Sequence, residues 1–160
     1  MTTTMSRRVP PQRLINLINP LVRTVLRSPA HGLVDGALLL LHVVGRRTGR
    51  RYDIPVGYTR VDNDLLVITQ HSWRVNCRDR STVDVTYRGR RRPMQVNLVE
   101  TASEVAAILI RLRQHSGPKA LQRATGLTSQ AGTPPTAADL EDGVRRFRLA
   151  CVILTPPDQD

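Results

Sequence analysis

Leu38-Leu39-Leu40-Leu41-His42-Val43-Val44-Gly45-Arg46-Arg47-Thr48-Gly49-Arg50-Arg51-Tyr52-Asp53-Ile54-Pro55-Val56 reads as an apolar strand, a glycine turn dense in arginine, and a returning strand that carries a proline. The turn gathers the guanidinium groups of Arg46, Arg47, Arg50 and Arg51, the Thr48 hydroxyl and the backbone around Gly45 and Gly49. Glycine lets a ligand approach the backbone closely, and arginine grips planar oxyanions with paired hydrogen bonds. Such a turn suits a phosphate. A solvated basic turn that protects a strand edge from aggregation is the competing reading.

Outward from this hairpin, the pattern continues as strands. Ala37–Arg46 and Tyr52–Arg60 form the first pair, Asp62-Asn63-Asp64 marks a turn, and Leu65–Gln70 is a third strand. His71–Arg80 is polar, holds the single tryptophan, and reads as a short helix or loop. Val83–Tyr87 and Pro93–Val99 alternate as half-buried strands around an Arg88-Gly89-Arg90 turn. Thr101-Ala102-Ser103-Glu104 has the form of a capping box, ahead of Val105, Ile108, Leu109 and Leu112 at helical spacing. A short helix over Pro118–Thr125, a loop over Thr128–Pro135, a helical turn over Thr136–Asp142 and a last strand over Phe147–Leu154 complete the series. The expectation is a mainly β domain with flanking helices, whose six strands close into a small barrel because closure removes exposed edges.

Before the hairpin, residues 1–12 read as a flexible basic tail. Apolar residues at 14, 17, 18, 21, 22, 25 and 26 then give a helix, reset near Pro20. It is either packed on the domain or laid on an anionic membrane surface. A single domain over 13–156 and a tail over 157–160 follow. No apolar run reaches the roughly 20 residues of a membrane span, and the N-terminus lacks the pattern of a secretory signal. The expected location is the cytoplasm, with peripheral attachment at the inner face of the membrane through the helix.

Composition narrows the partners. The net charge is +11 over 160 residues, and Lys119 is the only lysine. Arginine suits phosphate, carboxylate and anionic lipid better than lysine does, although a GC-rich coding sequence produces the same bias. Aromatic residues make up 3% of the chain and are scattered, which leaves no stacking platform for single-stranded nucleic acid. No nucleic acid partner is expected. Cys77 and Cys151 form no metal pattern and read as structural thiols. His31, His42, His71 and His115 pair with no carboxylate evident in the sequence. His71, beside Trp73, is the candidate proton donor; a polar loop residue is the plain alternative.

The element order and the phrase Gly45-Arg46-Arg47-Thr48-Gly49-Arg50-Arg51-Tyr52-Asp53-Ile54-Pro55-Val56-Gly57-Tyr58 resemble the deazaflavin-dependent nitroreductase family. These are split β-barrel flavin and deazaflavin oxidoreductases, of the FMN-binding split-barrel type, widespread in actinobacteria. Gly45, Arg46, Arg47, Thr48, Gly49, Arg51 and Pro55 fit the family's turn. Arg27-Ser28-Pro29, Trp73 with Asn76, and the closing Arg148–Pro156 also fit. The resemblance implies a homodimer that binds reduced deazaflavin (coenzyme F-420, with FMN as the alternative) and passes hydride to a small electron-poor acceptor such as a quinone. It implies cofactor binding by Arg46, Arg47, Thr48, Gly49, Arg51, Pro55 and Val56 at the hairpin, and by Thr69, Gln70, Trp73 and Asn76 near the ring. Thr69-Gln70-His71-Ser72-Trp73 is shorter than the family's glycine-containing loop at this point. A non-catalytic barrel that carries a fatty acid, haem or another anionic apolar ligand is therefore the rival. No tyrosine occurs in His115–Leu121, so nitroimidazole reduction is not expected.

Overall fold

A computed structural model describes residues 5–7, 38–129 and 132–158. The helix expected between residues 13 and 27 lies outside them.

Strands β2 (Leu38–Val44), β3 (Arg51–Gly57), β4 (Thr59–Val61), β5 (Asp64–Thr69), β6 (Thr82–Tyr87), β7 (Arg90–Val99) and β9 (Ala150–Thr155) form one sheet in the order β3-β2-β6-β7-β9-β5-β4. Every neighbouring pair for which a register is defined is antiparallel. The two edge strands, β3 and β4, are separated only by Tyr58. Laid flat, they would stand six strand spacings apart, or about 29 Å, whereas two peptide steps span about 7 Å. The sheet must therefore curl until its edges meet at Tyr58. That geometry is the expected split barrel.

Alternation sorts the side chains. Leu39, Leu41, Val43, Val83, Val85, Met94, Val96, Val152 and Leu154 point inward and share one buried cluster with Trp73 and Tyr58 at its margin. Cys151 and Leu66 face outward, into a second cluster beneath the helices. Helix α1 (Ala102–Ser116) supplies Val105, Leu109 and Leu112 to it, α2 (Pro118–Thr125) supplies Ala120 and Leu121, and α3 (Ala137–Phe147) supplies Leu140 and Val144. Leu39 and Leu109 have no exposed surface; truncating such a leucine to alanine costs about 2–5 kcal/mol.

Several boundaries differ from the expectation. Nine strands are described rather than six. The expected strand Tyr52–Arg60 is broken at Tyr58, because the chain must cross from one sheet edge to the other. Met5–Arg7, expected in a flexible tail, form β1 and pair with β8 (Leu127–Ser129), which was expected at the start of a loop. Ser6 Oγ and Thr128 Oγ1 are 2.8 Å apart, and Met5 is buried against the helices. The final strand begins at Ala150, since Phe147 ends α3. The capping box falls elsewhere too. Thr101 heads α1 without a side-chain bond, whereas Thr136 Oγ1 accepts from Asp139 N at 3.2 Å and Asp139 Oδ2 accepts from Thr136 N at 2.8 Å.

Candidate functional site

The register decides which loops share an end of the barrel. Val44 pairs with Arg51, so the arginine turn closes β2 and β3 at one end. His42 opposite Asp84 brings the start of β6 to that end, and Thr69 opposite Ala150 brings the end of β5 there beside Val99 of β7. A short 3-10 helix, Ser72–Cys77, connects β5 to this region. The turn, Thr69, Gln70, Trp73 and Asn76 thus lie at one end of one sheet.

The turn is internally braced. Gly45 N donates to Arg50 O at 2.8 Å and Gly49 N to Gly45 O at 2.9 Å. Arg50 N donates to Thr48 Oγ1 at 3.3 Å. Gly49 has φ +68° with no atom within 4 Å of a notional Cβ, whereas a Cβ on Gly45 would meet Thr48 Oγ1 at 3.0 Å and Tyr52 Cε2 at 3.1 Å. Gly49 is needed for its backbone angle and Gly45 for its close packing.

Asn76 ties this turn to the 3-10 helix: its Oδ1 accepts from Arg46 N at 3.1 Å. Arg46 Nη2 also meets Asp79 Oδ2 at 3.2 Å, an exposed pair that contributes little to stability. Beside it lies a depression of about 320 Å³ lined by Arg46, Arg78, Asp79, Arg80, Ser81 and Thr82. Sequence reasoning missed Arg78, Arg80, Ser81 and Thr82. The signal was the Arg78-Asp79-Arg80 run two residues past Asn76, which periodicity does not mark as part of any element.

Charge at this end is unevenly spent. Glu100 takes Arg78 Nη2 at 2.7 Å and Arg74 Nε at 3.2 Å. Burial pushes the Glu100 carboxyl up, but the hydrogen bonds from Arg78 and Arg74 outweigh it and hold the group below its ordinary value. Arg47, Arg50, Arg51 and Arg80 have no acidic partner among the described residues. The site therefore presents a surplus of guanidinium groups to solvent.

The other candidates divide. Thr69 is buried, and its hydroxyl accepts from His71 N at 3.0 Å. Gln70 Oε1 accepts from Arg7 Nη1, which links β1 to this end. Trp73 is half-buried and packs on the inner cluster. His71 is exposed. Pro55 and Val56 are not brought to the turn: they pair with Leu40 and Leu39 toward the opposite end of β2. The histidines also differ from expectation. His42 Nδ1 meets Asp53 Oδ1 at 2.6 Å and its Nε2 meets Thr86 Oγ1 at 2.7 Å, a pairing across β3, β2 and β6 that sequence spacing did not reveal. Cys77 is buried, and desolvation raises its thiol to about 11 despite the charge of Arg80. Burial likewise takes Cys151 to about 12. Among the described residues no cluster of three or more His, Cys, Asp or Glu could hold a metal.

A curled antiparallel barrel with an arginine-rich turn at one end defines the split-barrel class of fold. The model of the F-420H(2)-dependent quinone reductase family matches residues 23–130, and the chain belongs to that family. It is accordingly a deazaflavin-dependent oxidoreductase whose cofactor is F-420. No curated protein matches. A solved structure described as an F-420-H2 dependent reductase is 14% identical over 74% of this chain and 93% of that one, with a TM-score of 0.43. A structure described as a domain-swapped dimer is 14% identical over 90% and 99%, with a TM-score of 0.45. A conserved hypothetical protein from Mycobacterium tuberculosis is 13% identical over 96% and 86%, with a TM-score of 0.43.

The residues at the rim fit this cofactor. Unpaired arginines and an open Gly49 suit phosphate and carboxylate groups, and the carboxylate Glu100 is already spent on Arg74 and Arg78.

Proposed function

We propose that this protein uses reduced F-420 to reduce a quinone-like acceptor, and that the arginine turn holds the cofactor's anionic portion. The observation that carries the reading is the surplus at the rim: among the described residues Arg47, Arg50, Arg51 and Arg80 have no acidic partner, and Arg80 lines the depression beside the turn. When bound, the cofactor supplies the hydride; the chain supplies orientation and charge. Arg47 and Arg51 would grip oxyanions, Thr48 would add a hydroxyl, and the Asn76 bond to Arg46 N would keep the turn in register with the 3-10 helix. Trp73 and Thr69, at the inner margin of the same end, would exclude water from one side of the ring. His71 is exposed next to them and is the group available to deliver a proton to a reduced acceptor.

A homodimer is part of this proposal, as the family resemblance implies; among the described residues β3 is an edge strand of the sheet. The family resemblance is the support for a small-molecule acceptor. Placement at an anionic membrane surface and in the cytoplasm remains a proposal from sequence; no helix of the described residues is long and apolar enough to cross a membrane.

The test follows deazaflavin oxidation by absorbance with a panel of quinones. Turnover is expected with quinones, and Arg47→Ala with Arg51→Ala should weaken cofactor binding by at least about tenfold, since charge-assisted bonds are worth about 1.5–3 kcal/mol each. A folded double variant that binds the cofactor as the wild type does would remove the turn from the site. Absence of turnover with every quinone would remove the acceptor assignment.

A further inference from the structure

The barrel has a second arginine-rich end. Arg88 and Gly89 join β6 to β7, about 20 Å from the arginine turn by the length of β2. Both have positive φ, 50° and 73°. Two successive left-handed residues make the tight hairpin turn that asparagine, aspartate or glycine adopts most readily. Here the first position is an arginine, held with its guanidinium carbon 5.2 Å from the centre of the Tyr87 ring. Tyr87 in turn stands edge-on to Tyr58, with centroids 5.5 Å apart at 81°.

Beyond this turn, alternation along β7 puts Arg90 and Arg92 on the inner face with Met94 and Val96. Arg91 falls on the outer face and is spent on Asp84 at 3.1 Å. Arg92 is different. Its Nε is buried and has no hydrogen-bond partner. Neighbouring inner positions are Val83, Val85, Tyr87 and Met94. None of these four is acidic, and no ion pair of Arg92 is found among the described residues. Arg88 and Arg90 also lack an acidic partner among the described residues. Protection of a strand edge accounts for exposed arginines at a turn. It does not account for a guanidinium N–H turned inward and desolvated without an acceptor, which is costly.

We propose that this end of the barrel is a second anion site, in which Arg92, with Arg90 and Arg88 at the rim, binds a phosphate group. The Nε and Nη groups of one guanidinium offer two parallel donors to such an oxyanion. Tyr87 provides an apolar wall for whatever carries the phosphate. The site is separate from the arginine turn and does not depend on the deazaflavin reading.

The test observes arginine Nε–H signals by NMR in the full chain during titration with inorganic phosphate. Arg92→Lys, which keeps the positive charge and lacks Nε, identifies the Arg92 signal by its loss. That signal should shift saturably in the wild type, and equally in Arg47→Ala with Arg51→Ala. Arg90→Gln should weaken the response severalfold. A second titration uses phosphatidylglycerol vesicles. A saturable shift with free phosphate assigns a soluble ligand, and one seen only with vesicles assigns a lipid headgroup; either supports the site. An Arg92 signal that moves with neither, or that moves only linearly with concentration, overturns it. So does a response that disappears in the arginine-turn double variant.

Discussion

Gly45 and Gly49 lie four residues apart in one turn, yet they tolerate change differently. Alanine at Gly49 keeps open space around it but must hold φ +68°, which costs roughly 1–2 kcal/mol for an L-residue. Alanine at Gly45 has no such angle to hold and instead displaces the Thr48 hydroxyl and the Tyr52 ring. Gly49→Ala should therefore lower thermal stability, and its methyl group should also narrow the ligand's approach to the turn. Gly45→Ala should lower F-420 affinity about tenfold, roughly 1.4 kcal/mol, because Thr48 braces Arg50 N and is itself a proposed contact. Melting curves and cofactor titrations on both variants check this; wild-type affinity in Gly45→Ala would separate the turn's packing from binding. The importance of both glycines was legible in the sequence, but the reason was not. Side-chain clash and backbone sign look identical as the letter G.

Helix ends show where local sequence misleads. Thr101-Ala102-Ser103-Glu104 has the spelling of a capping box, but the bonds form at Thr136 and Asp139. Thr136→Ala should cost about 0.5–2 kcal/mol and Thr101→Ala close to nothing, as measured by denaturant unfolding; equal losses would contradict the assignment. The junction of β7 with α1 carries a pH-dependent element. Glu100 is held below its ordinary value in the fold by Arg78 and Arg74, acting against burial. An acid with a lowered folded pKa stabilises the protein above its unfolded value, and that contribution is lost as pH falls through the folded one. Acid unfolding should thus begin at higher pH relative to neutral stability in the wild type than in Glu100→Gln, whose curve should be flatter below the carboxylate range. A parallel pair of curves would show that Glu100 does not contribute. The strands of the sheet were legible from alternation. The short pair β1 and β8 was not, since three-residue strands carry no period and their pairing joins residues 122 positions apart.

At the scale of the whole molecule, closure of the barrel follows from the single residue between β3 and β4, while its charge follows from composition. Sequence placed the arginine turn correctly but could not bring Arg78 and Arg80 beside it, because that proximity depends on β2 and β6 lying side by side in the curled sheet. Among the described residues, Arg47, Arg50, Arg51 and Arg80 gather at this end without acidic partners. A field of this kind attracts a polyanionic cofactor over a distance set by salt: the screening length is about 10 Å at 0.1 M and about 3 Å at 1 M. Exposed Arg47, Arg50, Arg51 and Arg80 should feel that screening fully. The affinity for F-420 should fall at least about tenfold between low and high salt, while the KM for an uncharged quinone, the proposed acceptor, should change little. Arg47→Ala with Arg51→Ala should flatten the salt dependence as well as weaken binding. Fluorescence titrations of the cofactor over a salt series measure both effects. A salt-independent affinity in the wild type would mean that binding rests on the ring and its apolar contacts, and that the arginine turn serves only to guard the edge of the sheet.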